Sequence, residues 1–314
     1  MRPLILACIL AASGCETVVP ESSMPDTDDA AEPVPTQSGA SPTSECSETD
    51  LPAVAPNFAA AGESLVSTSQ GVIQTGGCDM DYTVFEPGER VTDVTVVLSH
   101  GFMRQQRHMA GWAEHIAGWG LTVVTPDLCH VSAFDSDHEQ NGVDLANLGA
   151  SLDRGVGTLY IGHSAGGLAS LLAGREDPGA LAVLGLDPVD SAGIGLAAAP
   201  DLQVPVRAIL GDGSACNSQN NGFGMFSAAS DHHIVGIPGA DHCSFESPTD
   251  GGCTLFCGGD GVGLSDEEIS DTVAGMSVAF ALWQSGADST AMQWWTPGQG
   301  WYDELLDEGR IVSP

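Results

Sequence analysis

Thr158-Leu159-Tyr160-Ile161-Gly162-His163-Ser164-Ala165-Gly166-Gly167 is the stretch on which the fold turns. Thr158 to Ile161 has the composition of a short buried strand, and residues 165–174 are small residues with helical spacing. Between them lies the one Gly-x-Ser-x-Gly of the chain, Gly162 to Gly166. In a chain with 40 glycines this pattern alone says little. Directly after a strand and directly before a helix it describes a sharp turn, with glycines on both sides allowing the chain to reverse and hold the Ser164 hydroxyl above the end of a sheet.

The same alternation continues in both directions. Residues 80–86 alternate and stop at Pro87-Gly88, a strand and a turn. Val94 to Leu98 reads as a buried strand. Residues 104–118 have helical spacing and stop at Gly118 to Gly120. Leu121 to Thr125 is a strand, and residues 139–152 are helical and amphipathic. Leu181 to Leu186, Val204 to Leu210 and His233 to Ile237 supply three more strands, and the Gly/Ala-rich stretch 187–203 fits a loop. A long helix spans 266–285, opened by Ser265 as N-cap with Glu268 three residues on. Strands alternating with helices predict an α/β fold, a mostly parallel central sheet with helices on both faces.

The charge balance excludes several classes. The chain has 314 residues, 42 acids against 8 basic residues, and a formal charge of −34; every basic residue is arginine. Such a surface does not neutralise phosphates, so nucleic acid is excluded as a partner. Without lysine there is neither a P-loop nor a Schiff base. No cofactor is called for.

The first residues read as an address. Met1-Arg2-Pro3 is followed by an apolar run, Leu4 to Ala12, too short to span a bilayer. It ends in Ala12-Ser13-Gly14-Cys15, which resembles a bacterial lipobox. Residues 1–14 are then a lipoprotein signal peptide and Cys15 the lipidated first residue. Residues 15–61 are acidic, rich in Ser, Thr and Pro, and free of Lys and Arg, the composition of a tether without a core. Residues 62–314 form one domain. The expected location is a bacterial cell envelope, with the membrane engaged only through the lipid.

Seven cysteines remain beyond Cys8 and Cys15: 46, 78, 129, 216, 243, 253 and 257. Export permits disulfides, so three bridges and one free thiol are expected, with the pairing open. Cys253-x3-Cys257 beside His242-Cys243 is only loosely zinc-like, and no metal site is assigned.

Ser164 needs a base, and in the order Ser, acid, His that base follows the later strands. His242 lies in the loop after the run ending Ile237-Pro238-Gly239-Ala240. His232, His233, His163 and His100 read as scaffolding. The acid has three candidates: Asp187, first because it sits immediately at a strand end, then Asp190, then Asp212. Ser99-His100-Gly101-Phe102 ends the first buried strand, where the N–H of Phe102, together with that of Ala165, is expected to form an oxyanion hole.

From about residue 80 to 285 the chain resembles an α/β-hydrolase of the branch containing chlorophyllases, platelet-activating-factor acetylhydrolases and cutinase-like polyester hydrolases. The resemblance rests on Ser99-His100-Gly101-Phe102, Gly118-Trp119-Gly120-Leu121-Thr122-Val123-Val124, Gly162 to Gly167 and Leu186-Asp187-Pro188-Val189-Asp190. The chlorophyllase segment implies Asp190 as the acid, the acetylhydrolase pattern Asp187, and the polyester hydrolases Asp212. It implies a serine carboxylester hydrolase acting on a small or polymeric ester through an acyl-enzyme. A peptidase uses the same triad, and a non-catalytic lipoprotein of the same fold is the alternative from another class.

Overall fold

The structure, a computed structural model, describes residues 53–259 and 262–314. The leader, Cys15, Cys46 and the acidic stretch up to residue 52 lie outside the described residues. The strands are β1 (Val66–Gln74), β2 (Asp79–Pro87), β3 (Thr95–Ser99), β4 (Thr122–Pro126), β5 (Thr158–His163), β6 (Ala180–Leu186), β7 (Val206–Leu210) and β8 (His232–Gly236). The helices are α1 (Ala110–Gly118), α2 (His138–Leu152), α3 (Ala165–Glu176), α4 (Ile194–Ala198), α5 (Gly222–Ser227), α6 (Gly251–Cys257), α7 (Asp266–Gln284) and α8 (Gly300–Asp307).

One sheet takes the order β1-β2-β4-β3-β5-β6-β7-β8. The strands from β4 to β8 pair in parallel, while β2 is antiparallel to both β1 and β4. This is the expected α/β class. Period-2 alternation divides the side chains between two cores. Val96 and Leu98 of β3 join Leu159 and Ile161 of β5 against Trp112 and Ile116 of α1 and Val273, Met276 and Phe280 of α7. Val97 and Tyr160 face the other way, against Leu145 and Leu148 of α2, Leu168 and Leu172 of α3 and Phe226 of α5. Both faces are therefore covered, which is why the middle strands read as continuous apolar runs.

Several boundaries differ from expectation, each for a local reason. β1 was not anticipated: Val-Ser-Thr-Ser-Gln-Gly-Val-Ile-Gln is a mostly exposed edge strand and lacks the apolar alternation that marks a half-buried one. The helix expected over 104–118 begins later, with a 3-10 turn at Gln106–Met109 before α1, because Asp127 Oδ1 takes the Gln106 N–H at 2.7 Å and holds the preceding residues in a loop. The stretch 187–203 is not all loop: it contains α4 and a 3-10 turn, Ala199–Asp201. Ser265 and Glu268 form the expected capping box of α7.

Residues 53–61, expected to belong to the tether, pack onto the domain instead. Ala55 and Phe58 are buried in the first core. Trp301 Nε1 donates to Ala55 O at 2.8 Å and Trp294 Nε1 to Pro56 O at 3.2 Å. The Phe58 ring meets Trp119 edge-on, with centroids 4.9 Å apart. These aromatic partners come from distant segments, so composition could not announce them.

Three disulfides join Cys78 to Cys129, Cys216 to Cys257 and Cys243 to Cys253. They use every described cysteine, including those that resembled a zinc cluster. Bridges in this number point to an oxidising, extracellular environment. No helix among the described residues is long and apolar enough to cross a membrane.

Candidate active site

The site forms at the carboxyl ends of the parallel strands, where loops from β3, β5, β6, β7 and β8 converge. β5 delivers Ser164 on the turn into α3. Its φ of 56° and ψ of −124° are strained for a residue with a side chain. The packing shows what enforces them. A Cβ on Gly162 would lie 2.2 Å from the Gly166 carbonyl oxygen, and one on Gly166 would lie 2.4 Å from His100 O. The turn is thus wedged between its own return and the end of β3. An N-cap serine ordinarily turns its hydroxyl back onto the helix. Here it makes no such bond, and Ser164 Oγ lies 2.9 Å from His242 Nε2.

His242 opens a 3-10 turn, His242–Phe245, after β8. Asp241 caps it, accepting from Ser244 N–H at 2.9 Å while Ser244 Oγ accepts from Asp241 N–H at 3.2 Å. His242 Nδ1 lies 2.5 Å from Asp187 Oδ2. An ionised carboxylate only accepts, so Nδ1 carries the proton and Nε2 presents its lone pair to the serine hydroxyl. Ser164, His242 and Asp187 are 7%, 6% and 0% exposed, so this line of groups lies in a largely water-free, low-dielectric setting.

Asp187 is held from the other side as well. It directly follows β6, at φ 42°. Its Oδ1 accepts from Gly211 N–H at 3.0 Å, and both oxygens accept from Asn217 Nδ2 at 3.2 Å. The other two candidate acids are used elsewhere. Asp190 accepts from Gly195 and Leu196 N–H at 2.8 and 3.1 Å and so closes the start of α4. Asp212 is exposed and accepts from Gly239 N–H at 3.0 Å. Neither bonds to His242.

The loop after β3 closes against Ser164. A Cβ on Gly101 would lie 2.9 Å from Ser164 Cβ, so Gly101 passes directly beside Ser164, with Phe102 the next residue of the loop. His100 sets the plane of the peptide between them. Its Nε2 accepts from Leu128 N–H at 3.0 Å, which leaves the proton on Nδ1 to donate to Gly101 O at 2.8 Å. The Gly101 carbonyl and the Phe102 N–H share one trans peptide and point in opposite directions. Binding the first to His100 therefore aims the second away from it. Burial pushes His100 down to about 4, partly opposed by the bond to Gly101, so the ring stays neutral. Ala165 N–H is the first of α3, one of the donors that a helix leaves without an internal partner.

Asn217 and the orienting role of His100 are what sequence reasoning missed. Asn217 follows a cysteine in a polar loop and carries no motif. From sequence His100 reads as scaffolding, and its adjacency to the expected oxyanion donor Phe102 is the available signal. Among the described residues no group of three His, Cys, Asp or Glu side chains is arranged to hold a metal ion. A cavity of about 640 Å³, lined by Glu63, Leu65, Val91 and Trp119 near the amino ends of β3 and β4, includes none of Ser164, His242 and Asp187. No family model matches the chain, and no curated protein matches it.

Proposed function

We propose that the chain is an exported serine carboxylester hydrolase that works through Ser164, His242 and Asp187. The observation that carries this reading is the unbroken hydrogen-bonded line from Asp187 through His242 to Ser164, at 2.5 and 2.9 Å. His242 Nε2 takes the Ser164 proton as Oγ adds to the ester carbonyl carbon. The negative charge that develops on the carbonyl oxygen is met by the Phe102 and Ala165 N–H groups, each such donor being worth about 3–4 kcal/mol in a comparable site. The bond to the alcohol oxygen then breaks, and His242 passes its proton to that oxygen. Water attacks the acyl-Ser164 ester with His242 again as base, releasing the acid and restoring the serine. Asp187 keeps the ring in the working tautomer and stabilises its cation.

The acidity of the chain favours uncharged esters, because an anionic substrate approaches against its field. The leader, with Cys15 as a lipid anchor, supports placement at a bacterial envelope membrane; mass spectrometry of the native N-terminus tests it, and an unmodified terminus elsewhere refutes it. The catalytic reading is tested by fluorophosphonate labelling followed by turnover of a chromogenic ester series. Wild type is expected to label at Ser164 and Ser164→Ala not at all. An unlabelled wild-type protein would return the chain to the non-catalytic members of its fold class, and cleavage of peptides in preference to esters would make it a peptidase.

A further inference from the structure

Behind His242 lies a second group of buried polar side chains to which the mechanism above gives no task. Glu246 is only 1% exposed along its side chain. Arg104 grips it with both faces of its fork, Nε to Oε1 at 2.6 Å and Nη2 to Oε2 at 2.5 Å. Thr249 Oγ1 adds a third bond to Oε2 at 3.2 Å. His163, the variable residue of the Gly-x-Ser-x-Gly turn, is equally buried. Its Nε2 lies 3.0 Å from the main-chain oxygen of His242, a contact in which only the ring donates. Its ring lies against that of His242, with centroids 4.6 Å apart. Its Nδ1 has no hydrogen-bond partner and faces Glu246 Oε1 at 3.8 Å.

The chain positions give this group its meaning. Arg104 belongs to the loop that carries Phe102, and its own N–H donates to Gly101 O. Glu246 ends the turn that carries His242. His163 adjoins Ser164. Each loop that brings one reacting group thus also contributes one member of the buried set. The Arg104–Glu246 pair ties the oxyanion loop to the base-bearing turn, and His163 ties the nucleophile turn to the main chain of the base.

We propose that Arg104, Glu246 and His163 are positioning residues that hold the oxyanion donor, the base and the nucleophile in register. A buried ion pair is a costly way to gain stability, since desolvation offsets much of its attraction. A bidentate pair does, however, fix distance and orientation together. Arg104 also bonds the half-exposed Asp250 at 3.2 Å, so of the two carboxylates it joins only Glu246 is buried, and the Arg104–Glu246 pair adds no net charge of its own beside the imidazolium that forms on His242. The other titratable and charged groups around this centre are Asp187, His100, His108 and Asp250.

The inference rests on the esterase reading, and its test separates the two. Glu246→Gln leaves Arg104 paired only with Asp250, a more exposed carboxylate at 3.2 Å, and so removes a negative charge near His242, which disfavours a cation on its ring; the acid limb of the kcat/KM profile is expected to move to lower pH. Arg104→Met leaves Glu246 uncompensated and is expected to move it to higher pH. The double variant returns the limb towards wild type but keeps a lowered kcat, because the tether is gone. A purely structural pair would shift neither limb in a charge-dependent direction. The His242 ring resonance followed against pH reads the same opposite shifts whether or not an ester is turned over, so a protein that is no esterase still tests the proposal. Where a single variant does not fold, His163 decides. His163→Gln retains a donor near the Nε2 position and is expected to keep kcat within several-fold, whereas His163→Leu loses about 10²-fold with KM little changed. Limbs that stay in place in both charge variants, or equal kcat in the Gln and Leu variants, overturn the proposal.

Discussion

Asp187 and His242 are joined by a 2.5 Å hydrogen bond although they stand 55 residues apart in the chain. The bond closes a loop containing β7, α5 and β8, and the carboxylate reaches it already fixed by Gly211 N–H and Asn217. A carboxylate held from behind in this way turns towards the imidazole without a search. That preorganisation, more than proximity to a strand end, distinguishes Asp187 from its two neighbours.

The three aspartates are expected to separate in one experiment. Asp187→Asn should lower kcat by about 10⁴-fold through loss of the working tautomer, with little change in the melting curve. Asp190→Ala and Asp212→Ala should keep turnover within several-fold. Asp190→Ala should instead lose about 1–2 kcal/mol of stability through the unpaired helix start. Steady-state kinetics beside thermal melts decide this, and an inactive, well-folded Asp212→Ala would reverse the assignment.

Two of the disulfides flank the site. Cys243 follows His242 directly, and Cys216 precedes the Asn217 that holds Asp187. Replacing Cys243 and Cys253 together by Ser is expected to cost about 2–4 kcal/mol. It should also lower kcat more than the matching change at Cys78 and Cys129, which lie farther from the triad in the chain. Peptide mapping without reduction should recover the three pairs, and any other pairing refutes the arrangement.

Gly101→Ala offers a steric test of the oxyanion loop. The added methyl would lie 2.9 Å from Ser164 Cβ, so one of the two loops must shift to admit it. A displacement of the nucleophile or the donor on this scale costs about 10²-fold in kcat. Fluorophosphonate labelling rates should fall in parallel; an unchanged rate would mean that the loop lies elsewhere when the site works.

Acid should weaken the fold through His100. Burial holds it neutral down to about 4, against 6.5 for an ordinary histidine. Between those values the unfolded chain takes up a proton that the folded chain refuses. Stability is therefore lost as pH falls from about 6.5 to about 4, by at most about 1.4 kcal/mol per pH unit from this group, and loses nothing further to it below. His163 is shifted in the same direction, chiefly by burial. Urea midpoints measured across that range should fall less steeply in His100→Gln than in wild type. Equal slopes would remove His100 from the account.

The strand–turn–helix around Ser164, the middle strands and the capping box of α7 were legible because each is a short-range matter. Glycines beside Ser164 permit its backbone angles, continuous apolar runs mark strands covered on both faces, and Ser265 with Glu268 satisfies a helix end within four residues. β1 was not legible because its pairing, rather than its own side chains, makes it a strand. The packing of 53–61 against Trp294 and Trp301 was hidden in the same way.

What the sequence determined by itself was therefore the α/β class, Ser164 on its turn, and His242 as the histidine in the right order. Only the tertiary structure decided which carboxylate meets that histidine, which cysteines pair and which side chains stand behind the base. Asp187, Asp190 and Asp212 are chemically identical and all follow strands. The difference lies in where their neighbours' N–H groups point, and that depends on strands and loops brought together across the sheet.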